Sequence, residues 1–206
     1  MKVAGIYLAA GSSRRMGKYK LSLPTQNGSL GSLALKTALK TSLDQIFIIT
    51  RKKRVDEWLP PELFSHKKCV VVDCPTAHLG QSESLKCGIK QVEAIEAEAA
   101  MIMLADQPLI TAAMLEELLT IMRKKKTTFV AASFNEVIMP PVLFSASMYP
   151  QLLHLQGDKG ARALLKGEFL TNGQILPFTE KELFFDIDTD EEYETLLSLM
   201  SSFVWS

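Results

Sequence analysis

One stretch decides how this chain folds: Leu8-Ala9-Ala10-Gly11-Ser12-Ser13-Arg14-Arg15-Met16-Gly17-Lys18-Tyr19-Lys20. It follows the apolar run Val3 to Leu8, which predicts a buried first strand. Glycine in the turn lets backbone N–H groups approach an anion closely. Arginine and lysine close behind it supply charge that phosphate oxygens can use. A strand, a glycine-containing turn and clustered cations together predict a site for a nucleoside triphosphate.

The spacing of this turn excludes two common kinds of nucleotide loop. Five residues separate Gly11 from Gly17, and Tyr19 follows Lys18, whereas a Walker A loop has four residues between its glycines and then Lys and Ser or Thr. The dinucleotide-binding pattern G-x-G-x-x-G is also absent. The usual signatures of a P-loop ATPase and of an NAD-binding protein are therefore missing. A polar β–α turn with solvated cations is the alternative that the residues leave open.

Size and charge restrict the class of protein. The 206 residues are 47% hydrophobic, which suits a single α/β domain over residues 1–206 with a sizeable core. Lys+Arg and Asp+Glu both number 23, so no overall basic field attracts nucleic acid or an anionic membrane. No signal peptide is visible, and no apolar run approaches the roughly 18–20 residues that span a bilayer. We therefore expect a cytoplasmic protein without nucleic-acid or membrane partners.

The three cysteines, Cys69, Cys74 and Cys87, are an odd number without C-x-x-C spacing. Such usage is typical of a cytosolic protein with reduced thiols. A zinc site that includes His66 and His78 is not expected, because Val70-Val71-Val72 favours a strand that would aim Cys69 and Cys74 at opposite faces. We expect buried, inert thiols.

Strand and helix signals alternate along the chain. Strands are predicted at Val3–Leu8, Gln45–Thr50, Cys69–Asp73, Ala100–Leu104, Thr128–Ala132 and Leu183–Ile187. Apolar residues at helical spacing predict helices within Leu33–Leu43, Ser84–Ala99, Met114–Met122 and Tyr193–Met200. Pro60-Pro61 and Pro140-Pro141 are interpreted as loops. Continuously apolar strands are expected where both faces of a sheet are covered. The pattern predicts a three-layer α/β/α sandwich with a mostly parallel sheet.

Two acidic motifs follow predicted strands. Asp106 comes after the apolar run Met101–Leu104, at the sheet edge where parallel α/β folds bind ligands. A carboxylate there suits Mg²⁺, which prefers oxygen ligands and substrate phosphates. Helix capping is the alternative, although Thr111 is the better N-cap candidate. Asp186 and Asp188 would point the same way from a strand and could hold a cation between them, while Thr189 or Asp188 with the following glutamates also suits a helix start.

Two further segments combine small and polar residues. The segment Gly80 to Gly88 opens a long predicted helix, whose free N–H groups could bind an anion or contact the edge of a base. An ordinary N-cap is an equal alternative. The turn Gly157 to Arg162 carries a cation into a helix and could hold a second phosphate or an acceptor group.

Taken together, these motifs resemble the MobA-like nucleotidyltransferases, and most nearly their molybdenum cofactor cytidylyltransferase (MocA-like) branch. The matching segments occur in family order: Leu8 to Lys20, Gly80 to Gly88, Asp106 to Pro108, Pro141 to Phe144, Gly157 to Arg162 and Asp186 to Thr189. Two segments depart from the family pattern. Asn27-Gly28-Ser29-Leu30 lacks the usual proline, and Ile138-Met139-Pro140-Pro141 replaces a Gly-His-Pro segment near the expected acceptor site.

The resemblance implies a Rossmann-like sheet of the nucleotide-diphospho-sugar transferase type and a specific reaction. CTP and molybdenum-bound molybdopterin would give the cytosine dinucleotide cofactor and pyrophosphate, in an Mg²⁺-dependent step. The catalytic residues would be Arg15, Lys20 and Asp106. The nucleotide site would comprise Leu8, Ala9, Ala10, Gly11, Arg15, Lys20, Ser82, Ser84, Gly88 and Asp106. Gly157, Asp158, Gly160 and Arg162 would face the acceptor, and Asp106, Asp186 and Asp188 would hold the metal.

Other functions remain open on the same residues. The enzyme could use GTP or nucleotidylate another phosphorylated acceptor. The fold could serve an NADPH-dependent reductase, or the chain could be a carrier that hands cofactor to an apo-enzyme. For the transferase, the resemblance implies a molybdenum hydroxylase or its maturation chaperone as protein partner.

Overall fold

The computed structural model describes residues 1–11, 16–166, 170 and 172–202, without the side chains of residues 52, 53 and 202. Its strands are β1 (Val3–Leu8), β2 (Pro24–Thr25), β3 (Gly28–Ser29), β4 (Gln45–Thr50), β5 (Cys69–Asp73), β6 (Ala99–Leu104), β7 (Phe129–Phe134), β8 (Val137–Ser145) and β9 (Gly173–Pro177). Its α-helices are α1 (Leu30–Leu39), α2 (Pro61–Phe64), α3 (Gln81–Ala94), α4 (Ala112–Lys124), α5 (Tyr149–Leu153) and α6 (Asp190–Ser202). Short 3₁₀ helices lie at Lys20–Ser22, Lys52–Glu57, Pro75–Leu79, Ala146–Met148, Ala161–Leu164 and Lys181–Phe184.

A mostly parallel sheet forms the centre of the fold, as the sequence predicts. Within the described residues it has seven strands in the order β5-β4-β1-β6-β8-β7-β9. Strand β8 is antiparallel to both of its neighbours, β6 and β7, so the other six strands run in one direction. Strands β2 and β3 form a separate small hairpin.

Side-chain alternation along β1 explains the three layers. Val3 and Tyr7 belong to one buried cluster, which includes residues of α1 and α4. Ala4 and Ile6 belong to a second cluster with residues of α3 and α5. Successive side chains of a strand point to opposite faces. Helices therefore cover both faces of the sheet, which confirms the predicted α/β/α sandwich.

The predicted strand at Leu183–Ile187 is wrong. Residues Lys181–Phe184 form a 3₁₀ helix instead, and β9 takes the place beside β7 at the edge of the sheet. Leu183, Phe184 and Ile187 are buried by packing rather than by strand pairing. The backbone N–H of Ile187 donates to the carbonyl of Asp106 at 3.0 Å, which ties this segment to the end of β6.

Interpreting Pro140-Pro141 as a loop is also wrong, because both prolines lie within β8. Ala131 pairs with Val142 and Ala132 pairs with Met139, so the two prolines occupy a register shift. Proline has no N–H to donate, which suits this irregular position. The Pro140–Pro141 peptide bond is cis.

The expectation of three reduced thiols needs correction. Cys74 and Cys87 form a disulfide with a Cα–Cα distance of 6.2 Å, and Cys69 is free. Cys74 directly follows β5, and Cys87 lies in α3, which folds back onto the sheet. This return of the chain brings together two residues whose spacing did not suggest a bond.

The helices of the described residues offer no candidate for a membrane span, since none is both long and apolar enough.

Candidate active site

A cleft lies beyond the carboxyl ends of the parallel strands, where α/β sheets usually bind ligands. Gly11 follows β1, Arg51 follows β4 and Asp106 follows β6. The cleft has a volume of about 500 Å³. Its lining residues are Leu8, Ala10, Gly11, Lys20, Arg51, Ala77, His78, Leu79, Gly80, Gln81, Ser84, Leu104, Asp106, Asp158 and Asp188.

Lys20 connects the opening turn to both acidic motifs. Its Nζ lies 2.7 Å from Oδ2 of Asp106 and 2.8 Å from Oδ1 of Asp188. Lys20 is 7% exposed. Burial alone lowers the pKa of Lys20, but Asp106 and Asp188 outweigh it and raise the pKa above its ordinary value. The ammonium therefore stays charged while water is largely excluded from it.

Tyr19 anchors the turn that presents Lys20. Its hydroxyl donates to the carbonyl of Ala9 at 3.3 Å, at the end of β1. The Arg54 guanidinium lies 4.8 Å from the centroid of the Tyr19 ring, a cation–π distance. Both contacts hold the backbone next to Lys20 against the sheet edge.

A capping box positions Asp188. The Glu192 carboxylate accepts from the backbone N–H groups of Asp188 at 2.7 Å and Thr189 at 2.8 Å. The Thr189 hydroxyl accepts from the N–H of Glu192 at 3.2 Å. This reciprocal arrangement satisfies the first free N–H groups of α6. The predicted helix start and the carboxylate in the cleft therefore coexist in one motif.

Asp186 lies close to this group and is partly buried. Its Oδ1 is buried and has no hydrogen-bond partner among the described residues. Burial, followed by repulsion from Asp106, raises the pKa of Asp186 to about 6. An extra positive charge would relieve both effects.

The acidic residues fit a hard divalent cation in part. The described residues contain no group of three or more His, Cys, Asp or Glu side chains arranged to hold a metal on their own. Asp106 and Asp188 nevertheless offer carboxylate oxygens in the cleft, and Asp186 offers its unpartnered buried oxygen close by. Mg²⁺ commonly takes one or two carboxylates and completes its shell with substrate phosphates and water. The residues therefore fit a metal that arrives with a nucleotide.

A second cleft of about 400 Å³ adjoins the first. Its lining includes Leu8, Gln81, Leu104 and Asp158, which also line the first cleft. The residues found only in the second cleft are Ile102, Met139, Pro140, Val142, Gly160, Ala161, Arg162, Ala163, Lys166 and Asp186. Arg162 donates from Nη1 to the carbonyl of Ile138 at 3.3 Å. The segment predicted to contact the acceptor thus lies beside the segment that departs from the family pattern.

Several predicted nucleotide-site residues lie behind the cleft wall rather than in it. Ala9 is buried, and its N–H donates to the carbonyl of Ile49 at 2.8 Å. Ser82 is fully buried and its Oγ has no partner among the described residues, whereas Ser84 lines the cleft. A Cβ on Gly88 would lie 2.4 Å from Cγ2 of Ile6, so Gly88 permits close packing of α3 on β1. Gly157, which was predicted to face the acceptor, lines neither cleft, and its carbonyl accepts from the N–H of Ser82 at 3.1 Å. Arg15 lies outside the described residues.

Arg51 is a lining residue that the sequence analysis missed. It lies in the first cleft, and its Nε is buried without a hydrogen-bond partner among the described residues. Its position directly after the predicted strand Gln45–Thr50 is a signal that could have placed Arg51 at the site, because side chains beyond the carboxyl ends of parallel strands line the ligand site. Ala77, His78 and Leu79 line the same end of the cleft.

Comparisons with known proteins show the family of this chain. The family model of the MobA-like NTP transferase domain matches residues 5–174. Purine catabolism protein PucB of Bacillus subtilis (strain 168) is 36% identical over 201 residues, which cover 96% of this chain and 97% of PucB.

Two solved mycobacterial structures have the same fold. The homologue of Mycobacterium tuberculosis Rv0371c from Mycobacterium sp. strain JC1 superposes with a TM-score of 0.79 at 28% identity, covering 97% of each chain. Rv0371c of M. tuberculosis H37Rv, solved in complex with manganese, gives a TM-score of 0.77 at 23% identity, covering 96% of this chain and 99% of that one. With a cation and carboxylates meeting at the carboxyl edge of a mostly parallel sheet, and with a family model that spans most of its length, this chain belongs to the MobA-like NTP transferase family of nucleotidyltransferases.

Proposed function

We propose that the protein transfers CMP from CTP to the terminal phosphate of molybdenum-bound molybdopterin and releases pyrophosphate, with Mg²⁺ as the metal. The main support is the contact of Lys20 with Asp106 and Asp188 in a cleft that continues into a second one. One cleft suits the nucleotide and the other the acceptor. The resemblance of the sequence motifs to the cytidylyl branch supports CTP and the pterin.

In this proposal the nucleotide phosphates lie against the turn at Gly11 and against Lys20, with Arg15 from the opening motif. Arg51 lies on the β4 side of the cleft, away from the second cleft, and so suits the nucleoside half of the substrate. The α-phosphorus would lie where the clefts meet, near Leu8, Gln81, Leu104 and Asp158.

The transfer step needs no covalent intermediate on the protein. A phosphate oxygen of the acceptor attacks the α-phosphorus in line and forms a new P–O–P linkage, while the bond to the β-phosphate breaks and its electrons leave with pyrophosphate. Positioning and charge neutralisation supply most of the catalysis in such reactions. The Lys20 ammonium would offset negative charge on the phosphates, and Asp106, Asp188 and Asp186 would supply oxygens to the metal. Mg²⁺, when bound, would neutralise phosphate charge as a Lewis acid.

The acceptor cleft combines a cation with apolar surface. Arg162 and Lys166 could pair with a phosphate, while Ile102, Met139, Pro140 and Val142 offer contacts to a flat ring system. The relative PucB is named for purine catabolism, and a molybdenum hydroxylase that oxidises a purine ring would be a suitable recipient of the product. We also propose that the protein works in the cytoplasm, which cell fractionation would test.

Pyrophosphate release from purified protein tests the proposal directly. CTP, GTP and ATP are each supplied with Mg²⁺ and with molybdenum-molybdopterin or a panel of sugar and polyol phosphates. We expect release with CTP and the pterin. Turnover with another pair would replace the substrates but keep the reaction type, whereas NADPH oxidation without pyrophosphate release would favour a reductase. Tight pterin binding without turnover of any nucleotide would favour a carrier.

Asp106→Ala provides the residue-level test of the metal role. Loss of this carboxylate should lower turnover at least about a hundredfold, because the metal and Lys20 both lose a partner. Asp56→Ala is the matched control, since Asp56 is an exposed aspartate that does not line the cleft. Unchanged Mg²⁺-dependent turnover in Asp106→Ala would refute the metal role.

A further inference from the structure

Besides Leu8 and Leu104 at the ends of β1 and β6, two segments that are distant in sequence contribute to the lining of both clefts. One is the start of α3, where Gly80 is the N-cap and Gln81 the first helical residue. The other is the turn that begins at Gly157 and leads into the 3₁₀ helix Ala161–Leu164. Gln81 and Asp158 each line both clefts. Any displacement of one segment against the other changes both clefts together.

Backbone contacts join these segments. The N–H of Ser82, one of the first free donors of α3, donates to the carbonyl of Gly157 at 3.1 Å. Gly80 has φ +134°, and a Cβ there would lie 2.4 Å from the carbonyl oxygen of Gly157 and 2.6 Å from its carbon. A side chain at position 80 would therefore clash with rigid backbone. Glycine allows the turn to approach closely enough to cap the helix.

The α3 side of this contact is firmly anchored. Gly88 packs α3 closely against Ile6 of β1, and Leu85 and Ile89 are fully buried. The disulfide from Cys74 to Cys87 fastens the same helix to the end of β5.

The turn on the other side is less constrained. Gly157, Asp158 and Lys159 are exposed, and a Cβ on Gly157, whose φ is +64°, would meet nothing within 4 Å. The turn is thus more exposed than α3, and it also approaches α3 at Gly160, where a Cβ would lie 2.7 Å from Oε1 of Gln81. Its contact with Gly80 and Ser82 sets its position.

We propose that Gly80 and Gly157 are positioning residues that couple the two clefts, so that a nucleotide in the first cleft orders the segment that lines the second. The inference rests on the proposed function, since it assigns the nucleotide to one cleft and the acceptor to the other. A nucleotide in the first cleft lies against Asp158 as well as against Gly80 and Gln81, so it restricts the turn directly. The bond from the N–H of Ser82 to the carbonyl of Gly157 then ties the restricted turn to the anchored helix. When the acceptor then binds, it does not have to order this segment, so less conformational entropy is lost. A bound nucleotide therefore raises the affinity for the acceptor.

Amide hydrogen exchange of residues 160–166 measures this coupling. Gly160, Ala161, Arg162, Ala163 and Lys166 line the second cleft and not the first, so a nucleotide in the first cleft does not cover them. We expect Mg²⁺ with α,β-methylene-CTP, which cannot transfer its nucleotidyl group, to slow exchange there at least about fivefold in the wild-type protein. The wild-type measurement decides on its own, whether or not a variant folds.

Gly80→Ala tests the contact itself, and Gly28→Ala is its matched control. Gly28 has a similar φ of +126°, but a Cβ there would meet the side-chain atoms Oγ of Ser32 and Nζ of Lys36 rather than backbone. In both variants alanine must adopt a strained positive φ. Only in Gly80→Ala would the added Cβ also clash with backbone atoms. We expect Gly80→Ala to lose the slowing at residues 160–166 and to raise the acceptor KM about tenfold more than the nucleotide KM. Gly28→Ala should keep both properties.

The outcomes separate this inference from the proposed function. Nucleotide binding with no slower exchange at residues 160–166 would overturn the coupling alone. Equal increases in both KM values for Gly80→Ala would also overturn it, because a general structural defect affects both substrates. Binding of GTP or ATP instead of CTP, with the slowing preserved, would support the coupling and change only the proposed substrate. A protein that binds no nucleotide would overturn both.

Discussion

The Nζ of Lys20 lies 2.7 Å from Oδ2 of Asp106, although the two residues are 86 positions apart. A side chain at the end of the opening turn thus meets one at the end of β6. The same Nζ contacts Asp188 at 2.8 Å, which adds a third segment. The contact places a charged amine and two carboxylates at one edge of the sheet.

Replacing Lys20 with methionine should impair both turnover and stability. Methionine keeps the length of the side chain but leaves Asp106 and Asp188 facing each other without the cation. We expect turnover to fall at least about a hundredfold, since a preorganised charge near the phosphates is lost. The free energy of unfolding should fall by about 1–3 kcal/mol. The loss is modest because the Asp188 side chain is 41% exposed and water screens its charge. Steady-state kinetics and urea unfolding measure the two effects.

Lys18→Met is the control for that variant. Lys18 pairs with Asp190 at 2.7 Å, but both side chains are well exposed. The loss of stability should be much smaller than for Lys20→Met. Equal destabilisation by the two variants would contradict the importance given to the buried contact.

Arg51→Ala should weaken nucleotide binding more than it slows the transfer step. Arg51 lines the β4 side of the cleft, and its Nε is buried without a hydrogen-bond partner among the described residues. Removing it takes away donors that a nucleotide could use, so we expect the nucleotide KM to rise about tenfold with kcat changed much less. Arg123→Ala is the matched control, because Arg123 bonds Ser42 away from the cleft. An unaltered nucleotide KM in Arg51→Ala would remove this residue from the site.

The metal-free protein should lose stability as the pH rises through about 6, because of Asp186. Burial and the charge of Asp106 raise the pKa of Asp186 from 3.8 to about 6. A carboxyl whose pKa is higher in the folded state favours folding while it is protonated. Its contribution is therefore complete below about pH 4 and is lost as the pH rises through 6, by at most about 3 kcal/mol.

Asp186→Asn should abolish this part of the pH dependence, since the amide does not ionise. Urea unfolding between pH 4 and 7 in the presence of a chelator, compared with wild type and with the exposed control Asp56→Asn, gives the measurement. The same pH slope in Asp186→Asn and wild type would show that another group is responsible.

Breaking the Cys74–Cys87 disulfide should destabilise the protein. The bond closes a loop with a sequence separation of 13 residues, and a loop of about that length contributes roughly 2–3 kcal/mol through chain entropy. Thermal unfolding with and without dithiothreitol should therefore differ for wild type. The Cys74→Ala, Cys87→Ala double variant should unfold at the lower temperature under both conditions.

Cys69→Ala serves as the control for the disulfide. Burial raises the pKa of Cys69 to about 11, so its thiol stays protonated at neutral pH and should not exchange with the bond. Its variant should respond to reductant as wild type does. Alkylation of all three cysteines in the unfolded, unreduced protein would show that the bond is absent.

Local signals in the sequence predicted those parts of the site that depend on neighbouring residues. Thr111 caps α4 by accepting from the N–H of Met114 at 3.2 Å, and Thr189 and Glu192 form the capping box of α6. The bounds of β1, β4 and β5 agree with the predicted ones. Such signals work because the residues that cooperate are within about four positions of one another.

The predictions that were wrong all concern features that depend on contacts between distant segments. Leu183–Ile187 has the composition of a strand, but β9 occupies the edge position beside β7, so this segment does not join the sheet there. Pro140 and Pro141 are typical of a loop, but the register shift between β7 and β8 allows a strand to contain them. The Cys74–Cys87 bond and the place of Arg51 in the cleft depend in the same way on which strands are neighbours.

The sequence alone therefore determined the alternating strands and helices, the cationic turn and the carboxylates at the ends of segments, because hydrophobic periodicity and capping act over a few residues. Only the tertiary structure decided that Lys20 contacts both Asp106 and Asp188, that the carbonyl of Gly157 accepts from the first turn of α3, and that two clefts meet at these segments. These contacts join residues far apart in the chain, and the packing of strands and helices around one sheet brings them within bonding distance.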